Sequence, residues 1–179
     1  MSTKKYLFRT LGVAFAIVAL FVAIPNKTMA ANMMPKAYTV AVEKLHNNTF
    51  GENNIRSFVY NIFAMYDYHV PVNQFYPYLV NQDLEMQFPE GKLTSHQDFE
   101  HWYDVSVGEN ITSNTHTLES LQVAVLGNKT YQVDLVVWWQ AENTKGEYLS
   151  YHFKQKWILV EEHNSLKIQK YIVKKLGGK

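Results

Sequence analysis

Tyr66 and Asp67 are the side chains best placed to do acid–base chemistry. Ile55, Phe58, Val59, Ile62, Phe63 and Tyr66 fall at i, i+3, i+4, i+7, i+8 and i+11, the apolar stripe of an amphipathic helix. Asp67 follows Phe63 by one helical turn and so lies at the edge of that stripe, off the solvent face. A carboxylate there is partly withdrawn from water, as a general acid or base requires.

Trp102, Tyr103, Trp138, Trp139, Tyr151 and Trp157 are a second set, large rings able to line a pocket and stack on a flat ligand. Alternating aromatics of this kind also build plain core. Metal chemistry is not expected: His96 and His101 stand about 140° apart around a helix, there is no H-E-x-x-H, and the chain has no cysteine. A G-x-S-x-G elbow and a phosphate-cradling glycine loop are both missing, and no cofactor motif stands out. Asn47, Asn110 and Asn128 stand in N-x-[ST] sequons, which matter only in a eukaryotic secretory host.

The elements that must position these groups follow from periodicity. Asn53 or Asn54 can cap the first long helix, which must stop before Pro71. Pro71 can open a short helix that carries Phe75 and Leu79 inward. Leu84, Met86 and Phe88 alternate with Glu85 and Gln87 as a half-buried strand ended by Pro89 and Gly91. Ser95 with Asp98 resembles a capping box opening a helix with Phe99, Trp102 and Tyr103, which ends near Gly108. From about Asn114 to Leu176 four strand-like runs are joined by turn signals at Gly127-Asn128, Asn143 to Gly146 and His163 to Ser165. Tyr131, Val133, Leu135, Val137 and Trp139 share one face of the second run, and Tyr151, Phe153, Gln155, Trp157 and Leu159 share one face of the third. A curled antiparallel sheet with helices on one face satisfies this order and encloses an apolar pocket.

Residues 1–30 read as a cleaved export signal: Lys4, Lys5 and Arg9, then an apolar run from Leu11 to Ile24, then Pro25 and the small-residue pattern around Ala30. The run is shorter than the ~20 residues of a membrane span, so no stable insertion is expected after cleavage. Residues 31–52 read as a leader with a short helix from Thr39 to Leu45, and residues 53–179 as one α+β domain. Removing Lys4, Lys5, Arg9 and Lys27 from 17 basic residues leaves 13, against 16 acidic ones. With no basic stripe, nucleic acid is an unfavourable partner. Lys167, Lys170, Lys174, Lys175 and Lys179 read as the solvated face of an edge strand and a tail.

The chain resembles the SnoaL-like branch of the nuclear transport factor 2-like superfamily. The resemblance is carried by Ala64-Met65-Tyr66-Asp67 at a helix end, Gln87-Phe88-Pro89-Glu90-Gly91 after a strand, Phe99 and Trp102-Tyr103 on a helix, His116 opening a strand, Trp138-Trp139 and Tyr171. It implies a conical α+β fold: a curved antiparallel meander, covered on one face by helices, enclosing a pocket. It also implies candidate catalytic roles for Asp67, His116 and Tyr66, because the dehydratase branch has a Tyr-Asp pair and a histidine at the matching places. A second catalytic histidine of that branch has no counterpart; Trp138-Trp139-Gln140 stands in the matching region.

Three functions remain open at this point. The leading one is an exported single-domain protein that binds a small hydrophobic ligand in its cone. The others are an isomerase, dehydratase or cyclase acting through Asp67 and His116, and a non-catalytic interaction module. A homodimer is expected, because Val136 and Trp138 face away from Val137 and Trp139 and would leave an apolar outer sheet face.

Overall fold

Period-two alternation in the second half of the chain becomes four long strands: β3 (Ile111–Gly127), β4 (Thr130–Asn143), β5 (Tyr148–Glu162) and β6 (Ser165–Gly178). The computed structural model describes residues 50–178. The export signal, most of the leader with its Thr39 to Leu45 helix, the Asn47 sequon and Lys179 lie outside the described residues.

The four strands pair antiparallel in sequence order. Asn128-Lys129 and His163-Asn164 all take positive φ, 48°, 58°, 48° and 62°. Both pairs meet the demand of a tight type I′ hairpin for two left-handed residues. Register shifts in β3 between Leu118 and Ser120, and between β5 and β6 at Ile158/Leu159, insert bulges. Bulges bend strands and sharpen their twist.

Ahead of the meander come β1 (Glu85–Phe88) and β2 (Gly91–Leu93), giving the sheet order β2-β1-β6-β5-β4-β3. β1 lies parallel to β6, with Met86 opposite Tyr171. This corrects two expectations. Gly91 does not simply end a strand; it starts a short partner strand. β6 is not an edge, because β1 covers part of its free side. Lys170 accordingly pairs with Glu85 at 2.8 Å, and that contact with the Lys170 ammonium holds the Glu85 carboxyl below its ordinary pKa.

Helix α1 (Glu52–Asp67) buries Ile55, Val59, Ile62, Phe63 and Tyr66, the stripe read from the sequence. Its N-cap is Gly51, not Asn53 or Asn54; Asn54 instead reaches back so that its Oδ1 accepts the Gly51 N–H at 3.1 Å. The apolar face packs toward the inner face of the sheet, where Phe63 meets Trp157 edge-on with ring centres 5.5 Å apart. After α1 the expected short helix is two 3-10 turns, Val72–Gln74 and Tyr76–Tyr78, with Pro71 as a cap outside the first and Pro77 inside the second. Phe75 and Leu79 reach the core from these turns, each 1% exposed.

Helix α2 (His96–Tyr103) starts where Ser95 Oγ accepts the Asp98 N–H at 3.1 Å. Asp98 Oδ2 accepts from the Thr94 N–H at 2.8 Å, and this backbone donor leads the lowering of its carboxyl pKa. The chain continues as a wider turn over Asp104–Glu109, ending next to the expected Gly108. Phe99 is fully buried and touches Phe75, Trp102 and Tyr103. Phe99→Ala is expected to cost about 3–5 kcal/mol. Ser95→Ala, which removes only the cap, is expected to cost about 0.5–2 kcal/mol. Urea unfolding of the two variants checks both the size and the order.

Candidate functional site

The end of α1 and the start of β3 meet over one carboxylate. Asp67 is the last residue of α1, and His116 sits on β3 beside it. The Asp67 Oδ1 to His116 Nδ1 distance is 2.5 Å, and Asp67 Oδ2 accepts the His116 backbone N–H at 3.1 Å. Asn114 Nδ2 donates to Asp67 Oδ1 at 3.2 Å. Three donors on one carboxylate assign Asp67 as the acceptor throughout. His116 therefore carries its proton on Nδ1, and among the described residues Nε2 has no protein partner. The imidazole stacks on Phe63, centres 4.8 Å apart and 13° from parallel, and its side chain is 11% exposed.

His116 forms part of the wall of a cavity of about 500 Å³ at the open end of the sheet. Asp67 stands behind His116 and does not line the cavity; Tyr66 does. Phe88 and Trp102 stack at 3.9 Å on one side. Trp139 and Tyr151 stack at 6.1 Å on another, and the Lys175 ammonium lies 3.4 Å over the Tyr151 ring. The floor holds Gln155, Tyr171 and Val173.

Two buried phenols add hydroxyl groups to the polar side chains that line this mainly apolar cavity. Tyr66 is 5% exposed and Tyr171 2% exposed. Burial pushes both hydroxyls well above the ordinary phenol pKa; the neighbouring phenols add to the rise at Tyr66, and the Gln155 amide against the Tyr171 oxygen partly offsets it. Gln155 is held by the Trp157 indole N–H, which donates to its Oε1 at 3.0 Å. Among the described residues neither the Tyr66 nor the Tyr171 hydroxyl donates to a protein acceptor. Both remain protonated donors beside the cavity.

The six aromatics expected to line a pocket divide between three places. Trp102, Trp139 and Tyr151 line the cavity. Trp157 is fully buried beneath it and orients Gln155. Tyr103 is core: its hydroxyl donates to the Val70 carbonyl at 2.8 Å, and burial pushes it up to about 12. Trp138 faces the outer side of the sheet, stacked on His152 with its indole N–H on Ser150 Oγ at 2.8 Å. Adjacent strand residues point to opposite faces, so Trp138 and Trp139 cannot share a pocket. His96 stacks on Tyr76 and its Nε2 lies 3.0 Å from the Val80 carbonyl. Among the described residues no group of three His, Cys, Asp or Glu side chains is arranged to hold a metal.

Asn114, Gln155 and His69 are site residues that the sequence reading did not single out. The first two had a signal. Asn114 is two before His116 and must share its strand face, and Gln155 is the polar member of an otherwise apolar row. His69 had none, because it lies past the helix end, where no period applies.

No family model matches the chain, and no curated protein matches it. Solved structures do. A nuclear transport factor 2-like superfamily protein from Salmonella enterica serovar Typhimurium superposes with a TM-score of 0.65 at 10% identity, covering 70% of this chain and 90% of that one. The hexachlorocyclohexane dehydrochlorinase LinA-type3 from Novosphingobium barchaimii gives 0.62 at 8% identity, covering 70% and 86%. An uncharacterized protein with a cystatin-like fold from Caulobacter vibrioides gives 0.61 at 9% identity, covering 71% and 90%. At these identities the likeness defines the fold, an α+β cone of the nuclear transport factor 2-like kind, as the resemblance implied.

The raised phenol pKa values carry a stability consequence. In the unfolded chain Tyr66 and Tyr171 ionise near pH 10, whereas in the folded protein they resist ionisation. The stability tied to their neutral forms is present below about pH 10 and is lost as pH rises toward the folded values. Alkaline titration followed by phenolate absorbance should show these two groups ionising only with cooperative loss of structure. Smooth ionisation of every tyrosine in the still-folded protein would contradict this.

Proposed function

We propose that the protein is an acid–base enzyme of the SnoaL-like branch in which His116 takes a proton from carbon on a small, flat, neutral molecule. The observation that carries this reading is the direct Asp67–His116 hydrogen bond with His116 in the cavity wall. Asp67 holds the proton on Nδ1 and balances the charge that develops when Nε2 accepts a proton. The stacked rings fit a planar body. The Tyr66 and Tyr171 hydroxyls favour a ligand with an acceptor oxygen, and donors aimed at an oxygen that gains negative charge stabilise the transition state.

His116 is the one histidine among the cavity-lining residues. The two-histidine dehydration of the resembling branch is therefore less well supported than chemistry run by a single base, an isomerisation or an elimination. A hexachlorocyclohexane dehydrochlorinase shares the fold, and loss of hydrogen chloride is an elimination of that class.

Nitrobenzisoxazole tests the base without knowledge of the natural substrate. It is flat and neutral. Removal of its ring C–H proton by Nε2 breaks the N–O bond and releases a cyanonitrophenolate, whose oxygen takes the negative charge. The wild-type protein should accelerate this elimination, and His116→Ala should lower the rate by about 10²–10⁴-fold. Asp67→Asn should lower kcat at little change in KM. Equal rates for wild type and His116→Ala would overturn the enzyme reading and leave a protein that only binds in its cone.

Export and self-association complete the proposal. The signal-like residues 1–30 support delivery outside the cytoplasm, and the outer-face Trp138 supports a homodimer through the sheet. Native mass measurement of protein recovered from its host reads both. The expected species is two copies of a chain beginning near Ala31. A chain beginning at Met1 removes the export proposal, and a monomer removes the dimer.

A further inference from the structure

We propose that His69 and Asn114 are positioning residues, which act on the Asp67–His116 pair through a chain of hydrogen bonds of fixed direction. The proposal rests on the reading of His116 as the base and extends it to two residues which that reading does not use.

The direction of the chain follows from the carboxylate. Asp67 accepts, so Asn114 must present its Nδ2–H, and the observed contact is 3.2 Å. The Asn114 carbonyl oxygen is thereby turned to His69, whose Nε2 lies 2.5 Å away. An oxygen acceptor there requires a hydrogen on His69 Nε2. The opposite flip of Asn114 would set its oxygen against the Asp67 carboxylate, whichever tautomer His69 adopts. Asp67 thus sets the amide orientation, and the His69 N–H on the Asn114 oxygen holds it there. Asn114 is 8% exposed, one of two buried polar residues among those described, and its amide is satisfied by Asp67 and His69. Asn114 and His116 are two apart on β3 and share its inner face.

The backbone of His69 adds an independent observation. Helix α1 closes with the His69 N–H on the Tyr66 carbonyl and the Val70 N–H on the Met65 carbonyl, each 3.1 Å. In that closure the residue after the cap is left-handed and is usually glycine. Here it is His69, at φ 47°. The chain keeps a histidine in a conformation that glycine adopts more readily, and the side chain has a use: its ring meets Asn114.

The consequence is control of one tautomer. A lone pair on His116 Nε2 requires the proton on Nδ1, and that requires Asp67 to be held in line. Sites of this kind work when supporting groups hold geometry to within about 0.5 Å. All three donors on Asp67, the ring and backbone N–H of His116 and the Asn114 amide, come from β3, and His69 holds the last of them from the end of α1.

The test uses His69→Gly, His69→Ala, His69→Gln and Asn114→Leu, with nitrobenzisoxazole turnover, nitrogen NMR of the His116 ring and melting temperature as readouts. Loss of the donor in His69→Gly and His69→Ala should lower kcat by roughly tenfold with KM within about twofold, and shift the His116 ring from one Nδ1–H form toward a mixture. Asn114→Leu should do the same. His69→Gln, which retains an N–H at a similar reach, should recover most of both signals. Glycine relieves the left-handed backbone, so His69→Gly should melt above His69→Ala while losing the same activity. If His69→Gly keeps the wild-type kcat and tautomer, or if kcat merely follows melting temperature across the series, the positioning chain is wrong and the Asp67–His116 pair still stands. If wild-type turnover does not depend on His116, the enzyme reading fails instead, and the NMR signals alone decide the chain.

Discussion

The hydrogen bond between Asp67 and His116 ties the last turn of α1 to the opening residues of β3, and the functional end of the cone is organised around it. A half-buried carboxylate is costly unless donors surround it. The protein supplies three, two of them from side chains and one from the backbone of His116 itself. A helix end that leaned away from the sheet would lose all three of these donors, which come from β3. The polar contact therefore fixes the angle at which an otherwise apolar helix lies on the sheet, which the contact of Phe63 with Trp157 alone would not specify.

The cavity exists because the sheet is bent and the helices fill only part of its inner face. Toward the closed end, Tyr131, Val133, Trp157 and Leu159 are fully buried and leave no space. Toward the open end, the same strands present Trp139, Tyr151 and Phe153, which are only half-buried and stand around the cavity. The transition falls at Gln155, a buried amide in a row of apolar side chains. Its bonds to Trp157 and Tyr171 keep that polar group satisfied, and so the core ends in phenol oxygens and not in bare hydrocarbon. Such a floor favours a ligand oxygen over a purely apolar group.

Much of the architecture was legible because it depends on short-range periodicity. The stripe from Ile55 to Tyr66 gave α1, Ser95 with Asp98 gave the start of α2, and the alternation around Val133 and Trp157 gave the inner faces of β4 and β5. The departures from the sequence pattern have separate causes. The N-cap was assigned to asparagine because its side chain is the usual acceptor, yet Gly51 serves with Asn54 reaching back from the third helical position. β2 was missed because three residues carry too little alternation to register. Trp138 was grouped with the cavity aromatics although its own neighbour, Trp139, already excluded it by parity. The placement of β6 failed because its partner β1 is 85 residues earlier at the Glu85–Lys170 pairing, and local pattern carries no record of such a neighbour.

By itself the sequence determined which residues face inward on each element, because the periods of helix and strand are set by backbone sterics that act over a few residues. It also determined that Asp67 would stand at the rim of an apolar helix face. Only the tertiary structure decided what Asp67 meets there. The bond to His116 joins positions 49 residues apart, and its geometry depends on where β3 begins, on how far the sheet bends and on the angle at which α1 crosses it. The same holds for Asn114, set between the carboxylate and His69, and for Tyr66 and Tyr171, brought to one cavity from the first helix and the last strand. Contacts of that kind are set by the packing of whole elements, and no local spacing encodes them.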